Sequence, residues 1–163
     1  MKLWRIASKT RSRLANDLSG TGAALFPGRW NTYQQPVLYC SPSIALAVLE
    51  TAAHINDAGL PLNRFLVSID VPAAVWAQHE VADIAKLPKG WSSIPAGQTS
   101  AKFGSDWLTS QRSPILLVPS VIVPEECVAL INPLHPAASK ISAQVVRPFE
   151  YSALFRSGQG KQG

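Results

Sequence analysis

Short runs of alternating hydrophobic and polar residues surround one longer helical stretch, and this pattern predicts more strands than helices. "KLWRIA" (2–7) reads as a strand. A polar stretch then runs through Asp17 into "LSGTGAALFPGRWN", whose glycines and proline predict a long extended loop; loops of that length inside compact domains tend to be functional. "PVLYCS" (36–41) is the next strand. Ser41 and Pro42 supply a hydroxyl cap and a first-turn proline for the helix "PSIALAVLETAAHI", which runs to the stop signal "NDAG". Apolar Ile44, Leu46, Val48, Leu49 and Ile55 occupy nearly every side of it, so burial on most faces is expected. In "RFLVSIDVP", Phe65, Val67, Ile69 and Val71 alternate with Leu66, Ser68 and Asp70, a strand with one wetter face, closed by Pro72. Residues 73 to about 100 read as irregular. "TSAKFGSDWLTSQ" is an amphipathic helix with Phe103 and Trp107 one turn apart and Thr99 or Ser100 as its cap. "PILLVPSVIVP" reads as two short strands broken at Pro119 and Ser120, and "CVALINP" and "QVVRPFEY" as two more.

No G-x-G-x-x-G motif or regular strand–helix alternation occurs, so an α+β class with a mixed or antiparallel sheet and a few helices is expected. A single domain over residues 1–155 is expected, followed by a disordered tail at 156–163. The chain has 163 residues, 47% hydrophobic and 15% charged, with 13 prolines and 10 glycines, a composition that folds into a turn-rich globule. Five of its basic residues (Lys2, Arg5, Lys9, Arg11, Arg13) precede the first acid, Asp17, within a net charge of +5. That end attracts anions, yet no zinc-finger spacing, basic helix or RNA-binding sheet motif accompanies it, and no direct nucleic-acid contact is expected. Two distant cysteines, Cys40 and Cys127, and the lack of a signal-like or 18-residue apolar run point to a reduced, cytoplasmic protein without a membrane segment.

The residues themselves leave the chemistry open. His54, His79 and His135 have no partners at ligand spacing, so no metal site is expected. A Ser-His-Asp hydrolase or a cysteine protease would need local signatures that are absent. Three residues stand out. Glu50 places a carboxylate in an apolar helix, where it is either paired, with His54 one turn on as the candidate neighbour, or set on a narrow solvated stripe. Ser120 either emerges from buried strands or satisfies the backbone of a kink. Arg29, beside a Pro-Gly turn, is either solvated or aimed at a phosphate or carboxylate.

Seven fragments in order, "LWRI", "GTGAALFPGRWN", "VLYCSPSIALAVLE", "LPKGW", "FGSDWL", "VPSVIVPEE" and "LINPLHP", together resemble the RES-domain toxin family over about 150 residues. The family's arginine, glutamate and serine fall on Arg29, Glu50 and Ser120. Departures are "TYQQP" after "GRWN" and Cys127 where an asparagine is common; neither touches those three residues. The resemblance implies a fold similar to ADP-ribosyltransferases and the toxin role of a toxin–antitoxin system. It also implies breakdown of NAD+ by hydrolysis or phosphorolysis, with transfer of ADP-ribose to a protein as the alternative. NAD+ is then substrate rather than cofactor, with inorganic phosphate a candidate co-substrate, and no other cofactor is implied. The implied partner is an Xre-type helix-turn-helix antitoxin, with a toxin homodimer inside the complex. A non-catalytic protein- or nucleic-acid-binding module is the rival class.

Cleaving the nicotinamide–ribose bond builds positive charge on the ribose, which calls for an anion near the sugar and cations on the pyrophosphate. Under the resemblance, Glu50 stabilises the oxocarbenium-like transition state and Arg29 and Arg5 hold the pyrophosphate. Ser120 offers its hydroxyl to substrate or to Glu50, and Tyr39 stacks on nicotinamide. Trp30 is expected as a packing anchor, Asn31 as a turn-stabilising side chain, and the other four tryptophans as core or interface residues.

Overall fold

The computed structural model describes residues 1–55 and 59–155. The expected tail at 156–163 lies outside the described residues, as does part of the "NDAG" stop signal. Two sheets and a few helices make up an α+β architecture. The first sheet has the order β1 (Lys2–Ser8), β3 (Arg64–Asp70), β7 (Ser142–Phe149), antiparallel throughout. The second has the order β2 (Leu38–Cys40), β6 (Cys127–Ile131), β5 (Ile115–Pro119), β4 (Glu80–Val81). Its pairs are antiparallel except β4 with β5, so the sheet is mixed. An isolated bridge between Trp4 and Ser41, with two backbone hydrogen bonds of 2.8 Å, ties the sheets together where the chain leaves β2.

Alternation along β1 decides what each of its faces meets. Leu3 and Ala7 join Cys40, Val67, Ile69 and Ile131 in the core between the sheets. Trp4 and Ile6 face the other way, onto Val48 and Ala52 of helix α2 (Ile44–Ala52) and onto Tyr151. Because β3 is the central strand and both of its faces are covered, the wetter face expected there is absent: Leu66 and Ser68 are buried along with Val67 and Ile69. A separate cluster around Trp30, Trp107, Val118 and Leu130 lies under helix α4 (Gln98–Ser110).

Three further expectations change in detail. Ser41 is buried in the sheet bridge, and the cap of α2 is Ser43, whose hydroxyl accepts from the Leu46 amide at 3.1 Å. With its start shifted by two residues, α2 buries only Leu46 and Ala47 fully, and Ile44 and Leu49 stay exposed. Helix α4 starts after Gly97 without a side-chain cap; the Ser100 hydroxyl instead donates back to the Gly97 carbonyl. The loop expected from Leu18 to Asn31 contains a five-residue helix, α1 (Thr21–Leu25), and the irregular middle holds α3 (Ala73–Trp76) beside β4. Past Pro119 the chain forms a turn rather than a second strand: the Ser120 amide donates to the Glu126 carbonyl at 2.8 Å, closing the β5–β6 connection.

Candidate active site

The turn "PGRW" is built from the inside out. Asn31 is 1% exposed, and its carboxamide binds in every direction available to it. Its Oδ1 accepts from the Gly28 amide at 2.9 Å and from the Tyr39 hydroxyl at 2.8 Å. Its Nδ2 donates to the carbonyls of Ala23 at 2.8 Å, Gln35 at 3.0 Å and Thr32 at 3.2 Å. The Tyr39 hydroxyl also accepts from the Trp30 amide at 2.9 Å, so one phenol oxygen fixes both ends of the turn. Gly28 is required there because a Cβ would come within 2.7 Å of the Tyr39 ring and hydroxyl. Trp30 is buried against Trp91, with ring centroids 6.0 Å apart, and against the edge of Phe103 at 5.9 Å. Gly104 on α4 lets that helix pass directly over the Trp30 carbonyl, where any side chain would collide with backbone.

Arg29 stands on this anchored turn. Its Nη1 donates to the carbonyls of Trp91 and Ser93, each at 2.8 Å, and its remaining N–H donors have no protein partner among the described residues. Partial burial works against its charge and lowers its pKa, while the Glu50 carboxylate and then Tyr39 act in the opposite direction. Arg29 and Glu50 therefore share one electrostatic field.

Glu50 projects from α2, which β2 launches and β1 supports. The Ser120 hydroxyl donates to Glu50 Oε1 at 2.5 Å and accepts from the amides of Ile122 at 3.1 Å and Val123 at 3.0 Å. Both readings of Ser120 thus hold together: the hydroxyl closes a kink after β5, and that closure aims its proton at the carboxylate. A charged acceptor makes this one of the stronger hydrogen bonds available to a protein. His54 does not take part, because α2 ends at Ala52 and His54 lies exposed in the turn beyond.

The structure thus brings Arg29, Glu50 and Ser120 into one group with Tyr39 behind them. It does not bring Arg5 there. Arg5 lies on the face of β1 shared by Leu3 and Ala7, away from α2. Burial lowers its pKa, its titratable neighbours are Cys40, Asp17 and Arg13, and among the described residues its guanidinium donates to the Asp17 carbonyl at 3.5 Å. Arg5, expected with Arg29 on the pyrophosphate, has its contacts around Asp17, Cys40 and Arg13, and among the described residues none of these contacts is to Arg29, Glu50 or Ser120. Tyr39, expected on nicotinamide, is seen here against the turn that carries Arg29. Its hydroxyl is spent on the turn and its ring lies against Gly28, so its visible work is to hold Arg29, and burial pushes its phenol well above the usual range. The carbonyls of Trp91 and Ser93 had no sequence signal, since a backbone acceptor looks the same at every position.

Among the described residues no group of three or more His, Cys, Asp or Glu side chains is placed to hold a metal ion, and no helix is long and apolar enough to cross a membrane.

Known proteins resemble the chain along most of its length. The family model described as "RES domain" matches residues 2–153. A protein of Sphingobium sp. (strain YBL2) named "Prs ADP-ribosylating toxin" is 54% identical over 148 residues, covering 91% of this chain and 92% of the relative. A "Toxin Res" of Photorhabdus laumondii is 38% identical over 135 residues, covering 82% of this chain and 83% of the relative. Among solved structures, a chain of the M.tuberculosis MbcT-MbcA toxin-antitoxin complex superposes with a TM-score of 0.60 over 90% of this chain and 84% of its own length. At 18% identity, that likeness speaks to the fold alone.

Proposed function

The chain belongs to the RES-domain family, and from that premise we propose that it is the toxin of a toxin–antitoxin pair and that it cleaves the nicotinamide–ribose bond of NAD+. The observation that supports this best is the Glu50 carboxylate, held by Ser120 at 2.5 Å within the field of the Arg29 guanidinium. As the C–N bond breaks, its electron pair leaves with neutral nicotinamide and the ribose carbon becomes cationic. A carboxylate fixed in advance stabilises that charge with little reorganisation. Ser120 keeps one Glu50 oxygen occupied, which leaves the other to meet a ribose hydroxyl or an attacking acceptor. Arg29 spends its Nη1 on two carbonyls, and its remaining donors suit a pyrophosphate oxygen pair. An oxygen nucleophile then completes the exchange at the ribose carbon: water gives ADP-ribose and a proton, and phosphate gives an ADP-ribose phosphate ester.

A second reading has its own support. The 54% identical relative is named for ADP-ribosylation, which favours a protein side chain as the acceptor in place of water or phosphate. Both readings share the first bond cleavage and the same roles for Glu50, Ser120 and Arg29. NAD+ as target places the action in the cytoplasm. An antitoxin, of the Xre helix-turn-helix type that the family resemblance implies, restrains the toxin until growth arrest is needed, and a homodimer of the toxin within that complex is part of the same proposal. Purified toxin incubated with NAD+ separates the acceptors. Nicotinamide release in plain buffer supports hydrolysis, release that needs phosphate supports phosphorolysis, and labelled ADP-ribose on a protein supports transfer. Intact NAD+ under all three conditions refutes the enzyme reading.

A further inference from the structure

Trp91 lies in the segment between Leu87 and α4, a stretch rich in Pro, Gly and Ser that the proposed chemistry has not used. Three observations tie it to the site. Its carbonyl is one of the two that receive the Arg29 Nη1, so the backbone of Trp91 is tied to the guanidinium. Its indole packs on the buried Trp30 with centroids 6.0 Å apart and an interplanar angle of 23°, which fixes the ring as an offset platform on the same turn that carries Arg29. Trp91 itself is only half-buried, whereas Trp30 and Trp107 are closed off at 2% and 1% exposure. A partly exposed indole backed by Trp30, on the stretch of backbone that receives an arginine with unspent donors, has the make-up of a stacking surface for a flat heterocycle attached to a phosphate.

We propose that Trp91 is a substrate-binding residue, stacking on one heteroaromatic ring of the dinucleotide whose phosphates Arg29 holds. The proposal rests on the NAD+ reading above and extends it by assigning a ring contact. The Ser93 carbonyl, the second acceptor of Arg29 Nη1, ties the guanidinium to the same segment two residues on. Whether the ring is adenine or nicotinamide is a matter of ligand halves. ADP-ribose carries only the former, and nicotinamide mononucleotide only the latter.

The test uses binding rather than turnover, in a Glu50→Gln background that keeps the ligands intact. Dissociation constants for ADP-ribose and nicotinamide mononucleotide are measured by calorimetry for the parent, W91F and W91L. Melting temperatures are recorded for each chain. Stacking predicts that W91L weakens one of the two ligands about tenfold and leaves the other within about twofold, while W91F, which keeps an aromatic face, stays within about threefold of the parent for both. Ligand-induced quenching present in the parent and absent in W91F identifies Trp91 among the five tryptophans. Equal binding of both ligands by parent and W91L overturns the proposal. So does an equal loss for both ligands that follows the fall in melting temperature, because that is the mark of a packing residue. A parent chain that binds neither ligand overturns the NAD+ reading itself, and with it the ring contact.

Discussion

Tyr39→Phe removes one oxygen atom, and the structure sets what that oxygen is worth. It donates to Asn31 Oδ1 at 2.8 Å and accepts from the Trp30 amide at 2.9 Å, in a region where Trp30 is 2% and Asn31 1% exposed. Each hydrogen bond contributes about 1 kcal/mol net, and the stranded Trp30 amide adds a further desolvation cost because no solvent reaches it, for a total of roughly 2–3 kcal/mol. At about 2–4 °C per kcal/mol for a chain of this size, the melting temperature should fall by roughly 4–12 °C. Arg29 rides on the loosened turn, so KM for NAD+ should rise more than kcat falls. The assay pairs differential scanning calorimetry with initial rates of nicotinamide release. A ring that only stacked on nicotinamide would function equally well as Phe. An unchanged melting temperature together with unchanged KM therefore refutes the reasoning that Tyr39 holds the turn.

Ser120→Ala should cost about 2–4 kcal/mol, because it removes a charged hydrogen bond and leaves the Ile122 and Val123 amides without their acceptor; chemical denaturation reads this, and kcat should fall more than KM rises. Gly104→Ala should destabilise by more than about 1 kcal/mol, since the added carbon meets the Trp30 carbonyl oxygen rather than a side chain able to swing away; a wild-type melting temperature would show that α4 can shift. A thiol reagent applied to the native protein should label half-buried Cys127 well before buried Cys40, whose pKa burial pushes up to about 12; equal labelling would mean that β2 opens readily. Stability should also decline as pH rises above about 9. The unfolded chain gives up the Cys40 and Tyr39 protons first, so it binds fewer protons than the native state and the slope is negative until the native groups ionise. Denaturation midpoints between pH 8 and 11 check the sign.

How far the sequence carried depended on whether the deciding interaction was local. The strands at 2–8, 64–70 and 115–119 were legible from alternation and β-branched content, and α4 from its one-turn spacing of Phe103 and Trp107. The cap of α2 was misplaced by two residues because Ser41, which has the right local signature, is claimed by the backbone of Trp4 thirty-seven positions away. The wetter face of β3 failed for the same kind of reason: Ser68 is polar but covered, since β3 became the central strand of its sheet. In the site, Glu50 and Ser120 were each suspicious alone; the resemblance left the Ser120 hydroxyl to substrate or to Glu50, and the fold puts it on Glu50. Arg5 and Arg29 could not be told apart by residue type; the fold surrounds Arg5 with Cys40, Asp17 and Arg13 and puts Arg29 in the field of Glu50. Asn31 was read as a turn stabiliser, which it is, but its grip on Tyr39 is a long-range contact invisible to a turn rule.

The central claim is that the carboxylate of Glu50, positioned by Ser120 and lying in the field of Arg29, drives cleavage of NAD+. The most direct measurement compares nicotinamide release by wild type and Glu50→Gln under the wild type's best acceptor condition, with ADP-ribose binding measured alongside. The account predicts release by wild type, a fall of about 100-fold or more in kcat for the variant, and retained ADP-ribose binding through Arg29. Equal rates from the two proteins, or no release from wild type with water, phosphate or protein acceptor present, would contradict it.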